Sequence, residues 1–178
     1  MPRPPILAIV GTKKHGKTTL TVRLAAALKR RGHRVMTIKH GTHTFDLDPA
    51  ATDTYRHYHE GEAEKVAMVS PDKFALVERS SAERTPEEIV DAHMMDADIV
   101  LCEGFKGSAL RRVEIWRREA GGTPLLDASN AGLYLALATD DDSVTAPGVR
   151  IVLTTTPDWI GELAGIVERE MIRSRRSS

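Results

Sequence analysis

The sequence lacks several features that would decide its class at once. Only one of its 178 residues is cysteine, Cys102, so no internal disulfide can form. The thiol sits in an apolar run, which predicts a buried structural role and a reducing compartment. No charge predominates, because 25 Lys and Arg face 25 Asp and Glu. That balance gives no global field toward nucleic acid or membrane. No apolar run approaches a membrane span, and the opening MPRPP leads straight into a strand, so a soluble cytoplasmic protein is expected. Neither repeat nor linker breaks the chain, and 41% hydrophobic residues suffice for a sizeable core. The expectation is one domain, 1–178, with 174–178 disordered.

The residues present are most informative at 11–19, GTKKHGKTT. Gly11, four variable residues, Gly16, Lys17 and Thr18 match the pattern of a phosphate-binding loop. The apolar run ILAIV precedes it, and Leu20, Val22, Leu24, Ala25 and Leu28 follow on one side of a helix, so strand, loop and helix come in the required order. Glycines let the backbone bend until successive N–H groups converge on phosphate oxygens at a helix N-terminus. Lys17 can reach the β- and γ-phosphates, and the Thr18 hydroxyl can ligate magnesium. The phosphate-binding set is therefore Gly11, Thr12, Lys13, Lys14, His15, Gly16, Lys17, Thr18 and Thr19, with the Lys14 and His15 side chains read as solvated spacers. The alternative is a glycine turn ahead of an ordinary helix.

The first helix is predicted over 17–31, stopping near Gly32, and 34–40 reads as a second strand. That order predicts a parallel sheet flanked by helices. Next comes a charged connection with a short helix, carrying His43, Asp46, Asp48, Asp53, Arg56, His57 and His59. It leaves the carboxyl end of strand two, on the rim where such folds bind ligands, so Asp48 or Asp53 can hold a metal. His40, His43, His57 and His59 invite a zinc reading, which their spacing and the absence of a cysteine partner disfavour. Residues 65–70 and 73–79, separated by Pro71-Asp72, predict an antiparallel hairpin or two edge strands. A helix opens at Thr85 and is expected to end near Asp96.

The second chemical stretch is 98–106, DIVLCEGFK. Its apolar residues predict a buried central strand that delivers Glu103 beside the magnesium or its water, where aspartate is more usual. The bland alternative is a core strand ending at an exposed acid.

IKH in the second strand, DPAATDTYR in the loop and EGFK after the acidic strand together resemble the molybdopterin-guanine dinucleotide biosynthesis protein B family, MobB, over roughly residues 5–140. The resemblance implies a P-loop NTPase fold, three-layer α/β/α, with a mainly parallel sheet and an antiparallel edge hairpin. It further implies GTP binding with weak magnesium-dependent hydrolysis and a homodimer. The implied role is assisting a partner guanylyltransferase of MobA type, with a molybdopterin site as a further expectation. Carried onto this chain, the metal positions are Thr18, Asp48 and Glu103, and the catalytic ones are Lys17 and Glu103. The segment after Asp53 departs from the family pattern, and Glu62 leaves the end of that helix open. The match fades past Gly121-Gly122, where 133–139 and 149–154 read as strands and 158–173 as an amphipathic helix.

Asp140 follows a late strand, LALATD, and resembles the acid that reads guanine in related GTPases, although Ala138 stands where a lysine is usual. The plainer reading of Asp140, Asp141 and Asp142 is a solvated acidic turn. Two other functions compete with the GTPase. A small-molecule kinase needs an arginine-bearing lid, for which Arg56, Arg111 and Arg112 are the candidates. A nucleotide-dependent adaptor needs only a partner surface.

Overall fold

The computed structural model describes residues 2–41, 46 and 48–174. The chain divides into two compact units, Met1–His40 with Pro86–Ser178, and Gly41–Thr85.

The first unit is built on β1 (Ile6–Val10), β2 (Val35–Lys39), β5 (Ile99–Glu103), β6 (Arg112–Trp116), β7 (Tyr134–Thr139) and β8 (Arg150–Leu153). The strands lie in the order β2-β5-β1-β6-β7-β8, and every pairing is parallel. Ile6 pairs with Val100, Val10 with Glu114, and Trp116 with Thr139. All residues of β1, β5, β6 and β7 are buried, whereas the edge strands β2 and β8 are partly exposed. Near-continuous apolar runs in the centre follow from helices or loops covering both faces of a parallel sheet.

One face packs Leu7, Ile9, Leu101, Val113, Ile115 and Ala138 against α1 (Lys17–Arg30) and α4 (Trp159–Val167). Leu24, Leu28 and Leu163 are fully enclosed there; truncating any one to alanine should cost about 2–5 kcal/mol. On the other face Val100 and Cys102 pack against Val90 of α3 (Pro86–His93). Ala8, Val10 and Tyr134 meet Leu125 and Leu126. Burial pushes the Cys102 thiol up to about 12, the behaviour of an inert structural cysteine.

Strand β6 is not expected from the sequence, because Arg112 and Glu114 interrupt its apolar pattern. Both are buried and satisfied by loop backbone. The Arg112 guanidinium donates to the carbonyls of Lys106 at 2.8 Å, Leu110 at 3.3 Å and Ser108. The Glu114 carboxylate accepts the amides of Leu125 at 2.7 Å and Leu126 at 2.9 Å. Burial raises the Glu114 pKa, and those two amides together with Arg112 oppose the rise.

Helix α1 stops one residue before the expected end, with Gly32 at φ 88° just beyond. The helix after Thr85 ends at His93 rather than near Asp96. The amphipathic C-terminal segment is α-helical to Val167 and then widens into a π-helical turn, Glu168–Arg173. Ser174 is helical, its hydroxyl donating to the Glu170 carbonyl at 3.0 Å, which corrects the start of the tail expected to be disordered. Residues 175–178 lie outside the described residues.

The second unit holds α2 (Asp53–His59), β3 (Lys65–Val69) and β4 (Phe74–Glu78). Thr52 caps α2 by accepting the Tyr55 amide, and Glu62, at φ 50° beyond it, is one of the few non-glycine residues in the left-handed region. The expected hairpin is present as a two-stranded sheet of its own rather than as the edge of the large one. Val66 is buried, whereas Val69 and Phe74, paired across the strands, are 76% and 68% exposed.

Candidate functional site

The loop between β1 and α1 is shaped by two glycines and by the strand beside it. Gly11 has φ 144°, and a Cβ there would lie 2.4 Å from the Ile115 carbonyl oxygen of β6, so only glycine lets the loop leave the sheet this close to its neighbour. Gly16, at φ 97°, is the N-cap of α1 and supplies no side-chain hydrogen bond; the first turn holds no acid. The N–H groups at this helix end thus have no capping side chain and no acid of their own turn, the condition under which a helix N-terminus attracts an anion. Lys14 also adopts left-handed backbone, φ 71°, and such strain gathers at ligand-binding loops.

Lys17 folds back and donates to the Thr12 carbonyl at 2.8 Å. Burial holds its ammonium below the usual lysine range; Glu103 opposes this, and the charges of Lys39 and Lys106 add to it. The Thr18 hydroxyl donates to Glu103 Oε1 at 2.8 Å, and the Lys39 ammonium donates to the same oxygen. Glu103 is 5% exposed. A buried carboxylate at the end of β5 therefore sits against the phosphate loop with three lysines acting on one region. The hydroxyl and carboxylate oxygens are hard donors of the kind magnesium takes.

The motifs flanking this acid pack on one another. His40 stacks on Phe105 at 4.7 Å between ring centroids, and its amide donates to the Glu103 carbonyl at 3.0 Å. A Cβ at Gly104 would meet the His40 Cβ at 2.9 Å. The glycine after the acid is thus required by the histidine after β2.

His15 is not a solvated spacer. It is 1% exposed, and its Nδ1 accepts the Arg117 amide at 2.9 Å, so the loop is anchored to the end of β6. Burial lowers the His15 pKa, as do the charges of Arg117 and Lys17, against an opposing effect of Asp140. The next amide, that of Arg118, donates to Asp140 Oδ1 at 2.8 Å. Consecutive amides at the end of β6 thereby link the phosphate loop to Asp140. The acidic turn is only partly solvated: Asp141 is 6% exposed and binds Arg118 and Ser143.

Asp48 lies in a bend of the second unit, ahead of Thr52. In that unit His59 lies 3.2 Å from Asp46 Oδ1 and against the Tyr55 ring, centroids 4.1 Å apart. Among the described residues no three His, Cys, Asp or Glu side chains gather into a metal cluster; His43 lies outside them. Lys39, Lys106, Arg117 and Arg118 escape a reading of the sequence. Lys39 in IKH and Lys106 in EGFK do stand in phrases that mark the family resemblance, which is the signal that could have found them.

The chain resembles known proteins over this same framework. It is 33% identical to the molybdopterin-guanine dinucleotide biosynthesis adapter protein of Escherichia coli K12 across 123 residues, 67% of this chain and 70% of that one. Against the protein of the same name from Haemophilus influenzae it is 30% identical across 118 residues, 65% of each. Among solved structures, the Bacillus subtilis MobB crystal structure superposes with a TM-score of 0.66 at 21% identity, covering 91% of this chain and 97% of that one. Another structure, of molybdopterin-guanine biosynthesis protein B, superposes with a TM-score of 0.64 at 24% identity, covering 93% and 98%. These likenesses show the P-loop α/β fold. The model of the molybdopterin guanine dinucleotide synthesis protein B family matches residues 6–140, a span that runs from the first residue of β1 through the phosphate loop and Glu103 to Asp140, and the chain belongs to that family, MobB.

Proposed function

We propose that the chain is a GTP-binding accessory protein of molybdopterin-guanine dinucleotide synthesis, with slow magnesium-dependent hydrolysis. The observation that carries this reading is the 2.8 Å contact between Thr18 Oγ1 and Glu103 Oε1, made between a phosphate-loop hydroxyl and a buried acid on the neighbouring strand. In this reading the backbone N–H groups of residues 11–19 receive the phosphates. Lys17 leaves the Thr12 carbonyl to meet the terminal phosphates, and Thr18, Glu103 and Asp48 hold the magnesium directly or through water. Magnesium, when bound, supplies the charge that neutralises those phosphates. Glu103 also orients the attacking water. Asp140 offers Oδ2 and the second lone pair of Oδ1 to the N1–H and N2–H₂ of guanine.

The proposed partners are a guanylyltransferase of MobA type and molybdopterin, with a homodimer as the working form in the cytoplasm. The word adapter in the names of the two relatives supports a partner within that synthesis. Among the described residues no helix is long and apolar enough to cross a membrane. Of the three arginines a kinase could use, Arg111 is exposed, and the other two are engaged. Arg112 is buried and held by three backbone carbonyls, and Arg56 pairs with Glu60 on its own helix. Calorimetric titration with GTP and ATP, with and without magnesium, tests the nucleotide; GTP loss with and without the guanylyltransferase and molybdopterin tests the role. GTP binding together with loss that responds to the partner supports the proposal. Phosphate transfer to a small acceptor would replace it with a kinase, and partner binding without any hydrolysis would leave an adaptor.

A further inference from the structure

A groove of about 450 Å³ opens beside the phosphate loop between α1 and β2. Thr18, Glu103 and Lys39 form its polar end, while Val22 and Ala25 of α1 supply an apolar wall beside Thr37 of β2; the Ile38 side chain turns to the other face of the sheet, among Val90, Val100 and Cys102. Thr18, Thr21, Val22 and Ala25 recur at three- and four-residue spacing, so they form one stripe on the helix. Val22 is 63% exposed, although this stripe borders the paired charges of Lys39 and Glu103. Its volume lies in the range of clefts that hold small molecules, which combine apolar walls with a few orienting polar groups.

The polar end holds a cation and an acid paired with each other, and they differ in exposure. Glu103 Oε1 already accepts both Thr18 and Lys39, and its carboxylate is 6% exposed. The Lys39 side chain is 61% exposed, and an ammonium carries three donors. A molecule entering along the apolar wall therefore meets a solvent-facing cation before it meets the acid.

We propose that this groove binds a small anionic organic molecule, its apolar body against Val22 and Ala25 and its anionic group on Lys39. Its description as the place of a second ligand, beside the terminal phosphate of the nucleotide, rests on the nucleotide reading above. Binding in the groove itself does not.

The test uses the full chain and two fluorescent probes, the anionic 8-anilinonaphthalene-1-sulfonate and its neutral relative N-phenyl-1-naphthylamine. Lys39→Glu should weaken the anionic probe about tenfold or more, in line with removal of a charge-assisted hydrogen bond, and leave the neutral one within about twofold. Val22→Asp should weaken both, and because Val22 is exposed the core is untouched. Phe74→Asp, on the exposed face of the hairpin, should change neither. Equal binding of the anionic probe by wild type and Lys39→Glu, or its loss in Phe74→Asp, would overturn the proposal. So would dissociation of a dimer by Val22→Asp in sedimentation without any probe binding, which would assign the groove to a second copy of the chain. A GTP titration without probe decides the nucleotide reading separately: GTP binding without probe binding sinks the groove alone, and probe binding without GTP binding sinks the nucleotide alone.

Discussion

The Arg117 amide donates to His15 Nδ1 at 2.9 Å, which fastens the variable part of the phosphate loop to the end of β6. His15→Ala would leave that part-buried amide without its acceptor, at a cost of about 1–3 kcal/mol. His15→Asn, whose amide oxygen can stand near Nδ1, should recover most of it. Denaturant midpoints of the three proteins check this, and equal midpoints would show that the hydrogen bond contributes nothing. The pH dependence has a defined sign. Because the folded pKa of His15 is lowered, its contribution is whole above the ordinary value of 6.5 and is lost as pH falls through the folded pKa. Protonation would set an N–H against the Arg117 N–H.

Lys17→Ala should weaken nucleotide binding by about 2 kcal/mol or more, as for a hydrogen bond to a charged group. The fold should persist, since in the free protein the Lys17 ammonium donates to the Thr12 carbonyl of its own loop and ties no other element in place. Calorimetry on the folded variant decides the matter. Unchanged affinity would end the phosphate-loop assignment.

Glu103→Gln keeps an acceptor for Thr18 and Lys39 but removes the charge between them. Magnesium-dependent hydrolysis should fall at least about tenfold, equivalent to about 1.4 kcal/mol, with a much smaller change in nucleotide affinity. Hydrolysis at the wild-type rate would make Glu103 structural and move the functional acid to Asp48.

Asp140→Asn retains an oxygen for the Arg118 amide, so its effect should be confined to the base. GTP should bind more weakly and XTP more tightly, because xanthine presents an oxygen where guanine presents N2–H₂. A competition titration with GTP, ATP and XTP reads this out. An unaltered preference for GTP would relocate the base site to another loop.

Acid should loosen the joint between the helices of the first unit. Glu168 lies 3.0 Å from His33 and 3.2 Å from Arg31, and Arg173 reaches it at 3.1 Å. The His33 hydrogen bond first, then Arg173 and Arg31, bring its pKa from the ordinary 4.5 down to about 2. Its stabilising contribution is present above 4.5 and disappears as pH falls toward 2. Glu168→Gln should flatten the stability profile across that window, as measured by urea unfolding at several pH values. Parallel profiles for both proteins would rule out this cluster as the acid-sensitive joint.

The sequence is most legible where one local rule dominates. The glycines and apolar run around 11–19 mark β1, the loop and α1, and the unbroken IVLC marks the strand that carries Glu103. Legibility fails where polar residues are neutralised by distant backbone. Arg112 and Glu114 read as surface charges, yet the carbonyls of 106–110 and the amides of Leu125 and Leu126 satisfy them inside the protein. His15 misleads in the same way, because its partner is an amide 102 residues away. Spacing along a chain carries no record of such partners.

The strand order also bears on when the phosphate loop can exist during synthesis. Strand β1 leaves the ribosome before both of its neighbours, β5 and β6, with Ile6 paired to Val100 and Val10 to Glu114. The growing chain must therefore carry an apolar strand without a partner until residue 103 has emerged, and with one edge open until residue 116, whereas β3 and β4 pair with each other and can close beforehand. Chains stalled with β5 still inside the exit tunnel should show the Leu7 and Ile9 amides open to hydrogen exchange and those of the hairpin already protected. The loop between β1 and α1 would then reach its final setting late, and the proposed nucleotide site with it.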